Sequence, residues 1–273
     1  MKKQRAFLKW AGGKYELVET IKRYLPEGDQ LIEPFVGAGS VFLNTNYKSY
    51  ILADINHDLI SLFTLLKLSP DQFIRDLRLL FVAQNNRPDA FYQLREVFNG
   101  SKDQYIRSLL FVYLNRHGYN GLCRYNNNGL FNVPFGRYKT IYFPEKELYF
   151  FAEKAQRAEF ICAPYHEVMK KAAKNSVIYC DPPYIPPNES AGFTAYYSNI
   201  FGFEEHKNLS ELAETMAYKK NIPVLVSNHY TDYTMNLYSK ASELYRTEMR
   251  RSISCAGKGR KKIDEILALY KKS

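Results

Sequence analysis

The tetrapeptide Asp181-Pro-Pro-Tyr184 directly follows the apolar run 176–180. Consecutive prolines fix the backbone and lack N–H donors, so the carbonyls here can face a ligand rather than a neighbouring strand. The Asp181 carboxylate and the Pro182 carbonyl can then accept both hydrogens of one exocyclic amino group, with the Tyr184 ring over the base that carries it. This grip favours a pyramidal nitrogen whose lone pair points at an electrophile. We predict Asp181, Pro182 and Tyr184 as catalytic residues; the alternative is a plain proline-rich strand end.

A glycine loop, Glu33-Pro-Phe-Val-Gly-Ala-Gly39, lies between a predicted strand and a predicted helix. It departs from the dinucleotide-binding fingerprint, because Phe42 stands where that fingerprint has its third glycine. A short loop of this kind lets the backbone approach an adenosine-bearing ligand. Asp54 ends the next predicted strand, near the position where an acid binds a ribose hydroxyl. On its own, the loop is equally explained by two glycines that form a tight turn.

A second glycine loop, Trp10-Ala-Gly-Gly-Lys14, lies close to the N-terminus. It is not a phosphate-binding P-loop, because Leu8 replaces the first glycine of that motif and Tyr15 replaces its Ser or Thr. The glycines suit a backbone that wraps round a ligand, with Trp10 and Lys14 on either side. Alone, this loop is a weak indication of a binding site.

Residues 104–144 contain no Asp or Glu, although they include five basic residues: Arg107, Arg116, Arg124, Arg137 and Lys139. A surface that faces phosphates has this bias, because each cation placed there displaces a condensed counterion. A solvated basic loop is the alternative. The missing acids and the interleaved aromatic residues favour contact with nucleic acid.

Within this stretch, residues 118–139 predict a β-hairpin, called the recognition hairpin below. Arg124 has the forked donors that match a guanine edge, and Leu122 and Pro134 can contact a thymine methyl group. Arg137 suits a phosphate. These assignments predict that the recognition hairpin contacts base edges as well as the backbone of DNA.

Further DNA contacts are expected from residues at the base of the same hairpin and from the N-terminal segment. Tyr119 can wedge into the space that a flipped base leaves, and Asn120 can meet the orphaned base opposite it. We include Tyr138 in the DNA-binding set, and Lys9 either contacts another base edge or is a surface residue. His117, next to Arg116, is a further candidate for DNA contact.

Four segments in this order resemble the Dam family of bacterial DNA adenine-N6 methyltransferases, of the D12 class: Lys9–Lys14, Glu33–Gly39, Ala53–Asn56 and Asp181–Tyr184. The resemblance covers nearly the whole chain, from Lys9 to about Tyr270. It implies S-adenosyl-L-methionine as methyl donor, double-stranded DNA as substrate, GATC as the recognised sequence and an adenine flipped out of the duplex. It also implies that Asp181 and Tyr184 hold the flipped base, and that six residues line the cofactor: Trp10, Lys14, Phe35, Gly37, Asp54 and Asp181.

The elements that must position these residues alternate between strands and helices. Strands are predicted over 30–35 and 50–54 with a helix between them, which implies a parallel βαβ unit. Later strands are predicted at 159–162, 176–180 and 223–227, with an antiparallel pair near 243–254 and 262–270. The fold class is therefore α/β, a Rossmann-like methyltransferase sheet with an antiparallel C-terminal hairpin. We assign residues 1–56 and 144–273 to a catalytic domain and 57–143 to an inserted, mostly helical DNA-recognition domain.

The composition agrees with a nucleic-acid partner. The chain has 273 residues, 38 Lys and Arg against 28 Asp and Glu, a net charge of +10 and 15% aromatic residues. Basic and aromatic residues together are typical of nucleic-acid binders. The cysteines form no C-x-x-C pair and no apolar run has the length of a membrane span, so we expect neither a metal site nor a membrane anchor. We expect a cytoplasmic, nucleoid-associated protein that is a monomer in solution.

Three alternatives remain open at this point. An N4-cytosine methyltransferase faces the same amino-group chemistry, although its tetrapeptide usually begins with Ser. Protein-glutamine methyltransferases present Asn at that position and do not need an acid-free hairpin. A catalytically inactive DNA-binding protein of the same fold is the third alternative, and a cofactor-binding titration discriminates it from an enzyme.

Overall fold

The computed structural model describes residues 3–185, 201–249 and 263–272. Among these residues the strands are β1 (Gln30–Glu33), β2 (Ser49–Asp54), β3 (Ala158–Cys162), β4 (Ser176–Cys180), β5 (Val224–His229), β6 (Glu243–Met249) and β7 (Ile263–Tyr270). The α-helices are α1 (Val18–Tyr24), α2 (Ser40–Asn44), α3 (His57–Leu68), α4 (Pro70–Arg78), α5 (Pro88–Gly100), α6 (Gln104–His117), α7 (Glu145–Ala155), α8 (Tyr165–Met169), α9 (Phe203–Glu214) and α10 (Asp232–Leu237).

The strands form one seven-stranded sheet in the order β3-β2-β1-β4-β5-β7-β6. Strand β1 pairs in parallel with β2 and β4, and β4 pairs in parallel with β5. Strand β7 is antiparallel to both β5 and β6. The α/β class and the antiparallel C-terminal hairpin are confirmed; residues 250–254 and 262 of the predicted pair lie outside the described residues. The strand order reverses between β1 and β4, which is where open α/β sheets bind ligands.

The chain divides into two compact units. The first contains Met1–Tyr15, Gly37–Asn44 and Asp54–Cys162, and the second contains Glu16–Val36, Thr45–Ala53 and Ala163–Ser273. The division into a catalytic domain (1–56 and 144–273) and a DNA-recognition domain (57–143) is one of function, and it stays a prediction.

The core of the second unit is built on the central parallel strands. Every residue of β4 and of β5 is buried, as expected for strands that are covered on both faces. Strands β1 and β4 pair with Ile32 opposite Ile178 and run in the same direction, so their carboxyl ends lie at one edge of the sheet. Phe35 follows β1 at this edge, and Asp181 follows β4.

The core of the first unit is largely aromatic. The rings of Phe7, Phe63 and Phe151 pack with centroids 4.6–6.0 Å apart. Helix α3 begins where the Asn56 side chain accepts a hydrogen bond from the backbone of the first turn. Helix α6 begins in the same way at Asp103 and packs along α3. This pairing positions Asp54, before α3, and the recognition hairpin, after α6.

Two predicted elements differ from the structure in detail. The helix predicted over 14–25 begins only at Val18, because residues 11–17 form turns after the glycine pair. The predicted hairpin forms two isolated antiparallel bridges, Gly118 with Phe135 and Tyr125 with Phe131, rather than a continuous ladder. Among the described residues, no helix is long and apolar enough to span a membrane.

Candidate DNA methylation site

Asp181 is fixed by a strand that follows it by many residues in the sequence. Its carboxylate accepts a hydrogen bond of 3.0 Å from the Ser227 hydroxyl of β5. Ser227 is fully buried and lies 3.0 Å from the Tyr179 hydroxyl of β4. A carboxylate held from the next strand has a defined direction, which a hydrogen-bond acceptor for a substrate amino group requires.

Tyr184 is held in a similar way from β7. Its hydroxyl donates a hydrogen bond of 2.8 Å to the carboxylate of Glu265, which is 1% exposed. The ring of Tyr184 meets the ring of His229 edge to face, with centroids 4.7 Å apart. Burial, followed by the nearby charges of Asp181 and Glu265, raises the pKa of Tyr184 well above its usual value. The phenol is therefore a neutral donor toward Glu265.

A buried polar network lies behind the tetrapeptide. The Asn228 side chain accepts a hydrogen bond from the Ile185 amide and donates one of 3.0 Å to the Tyr238 hydroxyl. The His229 ring nitrogen Nδ1 lies 2.8 Å from the Ile185 carbonyl oxygen. Burial lowers the pKa of His206, which neighbours Asn228, to about 4, so this imidazole is neutral at physiological pH. These contacts fix the backbone immediately after Tyr184.

Phe35 lies in the second unit, in a small group of aromatic rings. Its ring stacks on Tyr165 with centroids 5.5 Å apart and meets Phe201 edge to face at 5.4 Å. The side chain is half-buried, so part of the ring is accessible at the carboxyl edge of the sheet. Such a ring can stack on a planar ligand.

The first unit brings together Trp10, Gly37 and Asp54. The Asp54 carboxylate accepts hydrogen bonds from the backbone amides of Gly37 (3.2 Å) and Asn56 (3.0 Å). Gly37 has φ of +49°, and a Cβ atom added there would lie 2.8 Å from the indole nitrogen of Trp10. Only glycine fits this close approach. Burial raises the pKa of Asp54 despite these hydrogen bonds.

Lys14, the other predicted residue of the N-terminal loop, is 3% exposed, and its ammonium donates a hydrogen bond of 2.6 Å to the Gly12 carbonyl. Lys14 therefore lies in the same unit as Trp10, Gly37 and Asp54. Within this group Gly37 forms a turn without room for a side chain, and Asp54 provides a half-buried carboxylate. A carboxylate of this kind is the usual acceptor for ribose hydroxyls. The residues of the first unit therefore fit an adenosine-bearing cofactor.

The recognition hairpin exposes the residues that were predicted to contact DNA. Arg124, Pro134, Arg137 and Tyr119 are all exposed. The Arg124 guanidinium donates hydrogen bonds to the side chain (2.8 Å) and the backbone carbonyl (3.3 Å) of Asn132 on the opposite arm. This contact orients the fork of Arg124 before any ligand binds, and Leu122 on the same arm is half-buried.

Lys9, Asn120 and Tyr138 lie together at the base of the hairpin. The Lys9 ammonium lies 4.0 Å from the centre of the Tyr138 ring, a cation–π contact. The Tyr138 hydroxyl accepts a hydrogen bond of 2.9 Å from the backbone N–H of Asn120. Burial, followed by the charge of Arg116, lowers the pKa of Lys9 to about 8. Residues predicted from separate segments are thus neighbours in the first unit.

The prediction that His117 contacts DNA is wrong. His117 is 1% exposed, and its ring nitrogen Nδ1 lies 2.9 Å from the Tyr113 carbonyl oxygen, one helical turn earlier. The imidazole also packs against the Tyr113 ring, with centroids 4.0 Å apart. Burial lowers its pKa to about 4, so it carries no charge for a phosphate at neutral pH.

Comparison with known proteins shows the family to which the chain belongs. The model of the D12 class N6 adenine-specific DNA methyltransferases matches residues 10–253. The chain belongs to this family. It is 58% identical to a "DNA adenine methylase" of Serratia marcescens over 99% of this chain and 100% of the relative. Relatives of the same name occur in Escherichia coli K12 (58% identical, 99% and 97% covered) and Vibrio cholerae (56% identical, 99% and 97% covered).

Membership in the family decides between the alternatives that the sequence left open. The chain is an N6 adenine-specific DNA methyltransferase, so the N4-cytosine, protein-glutamine and inactive alternatives are set aside. The methyltransferase places Asp181 and Tyr184 together in the second unit, and Trp10, Lys14, Gly37 and Asp54 together in the first. Among the described residues, no group of three His, Cys, Asp or Glu residues could hold a metal ion.

The residues that support this methyltransferase site were not predicted. Ser227 and Glu265 hold the two key side chains of the tetrapeptide, and Asn115 lies under the recognition hairpin. A signal was present, because each is a polar residue directly next to an apolar run in its strand or helix. Such residues are buried only when they are hydrogen-bonded, so each predicts an unseen partner.

Proposed function

We propose that the chain transfers a methyl group from S-adenosyl-L-methionine to N6 of adenine in double-stranded DNA at GATC, with the target adenine flipped out of the duplex. The observation that carries this proposal is the pair Asp181 and Tyr184, which Ser227 and Glu265 hold in place at the end of β4. A carboxylate acceptor held in place, next to the Pro182 carbonyl and an aromatic ring, suits the amino group of an adenine that has left the base stack.

The proposed chemistry needs no proton transfer before the methyl group moves. The Asp181 carboxylate and the Pro182 carbonyl accept the two N6 hydrogens, which concentrates the nitrogen lone pair on the opposite side. Tyr184 holds the ring plane by stacking. When bound, S-adenosyl-L-methionine supplies an electrophilic methyl group on a sulfonium. Transfer would form the N–C bond while the sulfonium S–CH3 bond breaks and its electron pair stays on sulfur. The Asp181 carboxylate would stabilise the positive charge that develops on the amino nitrogen and accept the proton that this nitrogen then loses.

We propose that six residues bind the cofactor: Trp10, Lys14, Phe35, Gly37, Asp54 and Asp181. The backbone of Gly37 allows close approach of the ligand, and the Asp54 carboxylate accepts from ribose hydroxyls. Trp10 and Phe35 offer aromatic surface. The geometry of the first unit supports three members of this set, because Trp10, Gly37 and Asp54 are neighbours there.

For DNA, we propose contacts by eight residues: Lys9, Tyr119, Asn120, Leu122, Arg124, Pro134, Arg137 and Tyr138. Arg124 contacts a guanine edge, Leu122 and Pro134 a thymine methyl, and Arg137 a phosphate. Tyr119 and Asn120 occupy the gap that the flipped adenine leaves. We further propose that 57–143 acts as the DNA-recognition part, and that the protein is a monomer in solution and associates with the nucleoid in the cytoplasm.

The test uses a labelled methyl donor and two duplexes that differ only at the A·T pairs of a GATC site. We expect label in the GATC duplex, on adenine after digestion to nucleosides, and background label in the other duplex. A reaction without protein supplies the background value. Equal labelling of both duplexes, or label on cytosine, would contradict the proposal.

Base flipping has a separate test. A duplex with 2-aminopurine in place of the target adenine becomes more fluorescent when that base leaves the stack. We expect the fluorescence to rise when protein is added in the presence of excess cofactor analogue. The rise should be smaller when 2-aminopurine lies outside the GATC site. Equal signals from both positions would contradict a specific flip.

A further inference from the structure

One buried amide, that of Asn115 near the end of α6, contacts two segments that the proposed function assigns to DNA recognition. It makes four hydrogen bonds and is 0% exposed. Its oxygen accepts from the Lys9 amide at 2.9 Å, and its nitrogen donates to the Lys9 carbonyl at 2.7 Å. The same nitrogen donates to the Gly121 carbonyl at 3.0 Å and lies 3.5 Å from the Cys123 sulfur.

The two segments that Asn115 joins are in direct contact. A Cβ atom added to Gly121 would lie 2.2 Å from Cβ of Lys9, and Gly121 has φ of +64°. Lys9 also donates from its ammonium to the Arg116 carbonyl at 3.3 Å. Residues on either side of Gly121 are those predicted to meet base edges. The relative position of Lys9 and the first arm of the hairpin is thus set by backbone contacts around one side chain.

We propose that Asn115 is a specificity-determining positioning residue, which fixes Lys9 and the first arm of the recognition hairpin in one register against the bases. The inference rests on the proposed function, because it assumes that Lys9 and Arg124 contact bases. Asn115 is fully buried and acts through these residues, without contact with DNA of its own. Loss of the Asn115 side chain should therefore weaken the base contacts of both Lys9 and Arg124, because their backbones are no longer held together.

The chain offers a matched control in Asn99 of α5. Its side chain donates to the Phe131 carbonyl at 3.1 Å and accepts from the Phe131 amide at 2.8 Å, on the other arm of the hairpin. Asn99 thus makes the same kind of paired contact with the hairpin but none with Lys9 in the structure's described residues. Asn99→Ser therefore removes a paired contact with the hairpin and leaves the contact with Lys9 intact.

The experiment measures single-turnover methylation of the GATC duplex and of three duplexes in which G, T or C of the site is replaced in turn. We expect Asn115→Ser to lose roughly tenfold in discrimination at the base that Lys9→Ala also relaxes, and at the base that Arg124 contacts. Asn99→Ser should stay within about twofold of the wild type at both. The double variant Lys9→Ala/Asn115→Ser should lose no more at the Lys9 base than either single variant, because both act on one contact.

Several outcomes overturn the proposal. Wild-type discrimination in Asn115→Ser, or equal losses in Asn115→Ser and Asn99→Ser, would show that Asn115 has only a general structural role. If Asn115→Ser does not fold, Gly121→Ala separates the same two backbones by collision with Lys9, and full discrimination in that variant overturns the proposal. A wild-type enzyme that does not discriminate between the duplexes refutes the proposed GATC specificity, and this inference with it.

Discussion

The tetrapeptide Asp181–Tyr184 and the recognition hairpin differ in how far their functional side chains are buried. In the tetrapeptide, the functional side chains of Asp181 and Tyr184 are half-buried and are held by buried residues of other strands, Ser227 and Glu265. In the hairpin, the functional side chains of Arg124 and Arg137 are exposed. The buried residues are those that support the hairpin, Gly121 on its first arm and Asn115 in the helix before it. Chemistry on one amino group requires acceptors in fixed positions. Recognition of a duplex requires exposed hydrogen-bond donors on a loop that is held in place by buried residues.

This difference has an electrostatic side. Acids gather where the amino group is expected, and burial together with Asp181 raises the pKa of Tyr184. The sequence segment that includes the hairpin, residues 104–144, contains no Asp or Glu. A change in the first region should therefore affect the rate of methyl transfer, and a change in the second should affect affinity or base preference.

The largest effect is expected from Asp181→Ala. The substitution removes the acceptor that polarises the amino group, so we expect a loss of roughly 10²- to 10³-fold in single-turnover methylation rate. Affinity for the GATC duplex, measured by fluorescence anisotropy, should change by no more than a few fold. Near-normal turnover of this variant would refute the amine-gripping mechanism.

A smaller loss is expected at Glu265, which holds Tyr184. Glu265→Leu removes the acceptor of the Tyr184 hydroxyl, and we expect a rate loss of roughly tenfold from the disordered ring. Glu265→Gln keeps an acceptor oxygen and should recover most of the rate. The comparison of kcat and KM for DNA in the two variants checks this role. A Gln variant as slow as the Leu variant would show that charge, rather than orientation, matters.

Arg124→Ala should change specificity rather than rate on the correct site. Loss of a forked guanine contact costs about 1–3 kcal/mol of discrimination, so preference at one base pair should fall by roughly tenfold or more. Methylation rates on duplexes with each base of the site replaced measure this preference. Asn132→Ala, which removes one partner of Arg124, should cause a smaller loss at the same base. Relaxation at every base pair alike would contradict the assignment.

Arg137→Ala is expected to have the smallest and most uniform effect. Because a phosphate contact carries no sequence information, binding should weaken equally for all duplexes. The slope of log affinity against log salt should become shallower by about 1. A change of base preference like that of Arg124→Ala would remove the distinction between these two arginines.

Individual strands of the sheet were predictable where the chain has a simple pattern. The apolar run before Asp181 became the fully buried strand β4, and the tetrapeptide ends it as predicted. The two predicted glycine loops bring Trp10, Gly37 and Asp54 together in the first unit. In each case a short local motif carries both the fold and the proposed chemistry, so reading the motif was sufficient.

The supporting residues could not be assigned from local pattern. Glu265 lies opposite His229 in the β5–β7 pairing, and this register depends on the tertiary fold. Asn115 follows an apolar stretch of α6, which indicates burial but does not name Lys9 and Gly121 as its partners. The error at His117 has the same origin. Its basic neighbours suggested a DNA-facing surface, whereas its helical position faces the core.

The central claim is that fixed acceptors at Asp181–Tyr184 act on the adenine amino group of GATC. The most direct measurement exposes unmethylated genomic DNA to the purified protein and S-adenosyl-L-methionine, and then maps modified bases by sequencing that detects N6-methyladenine and N4-methylcytosine. The account predicts N6-methyladenine at GATC sites, and far less of it with Asp181→Ala over the same reaction time. Methylated adenine spread over unrelated sequences, or methyl groups on cytosine, would contradict it.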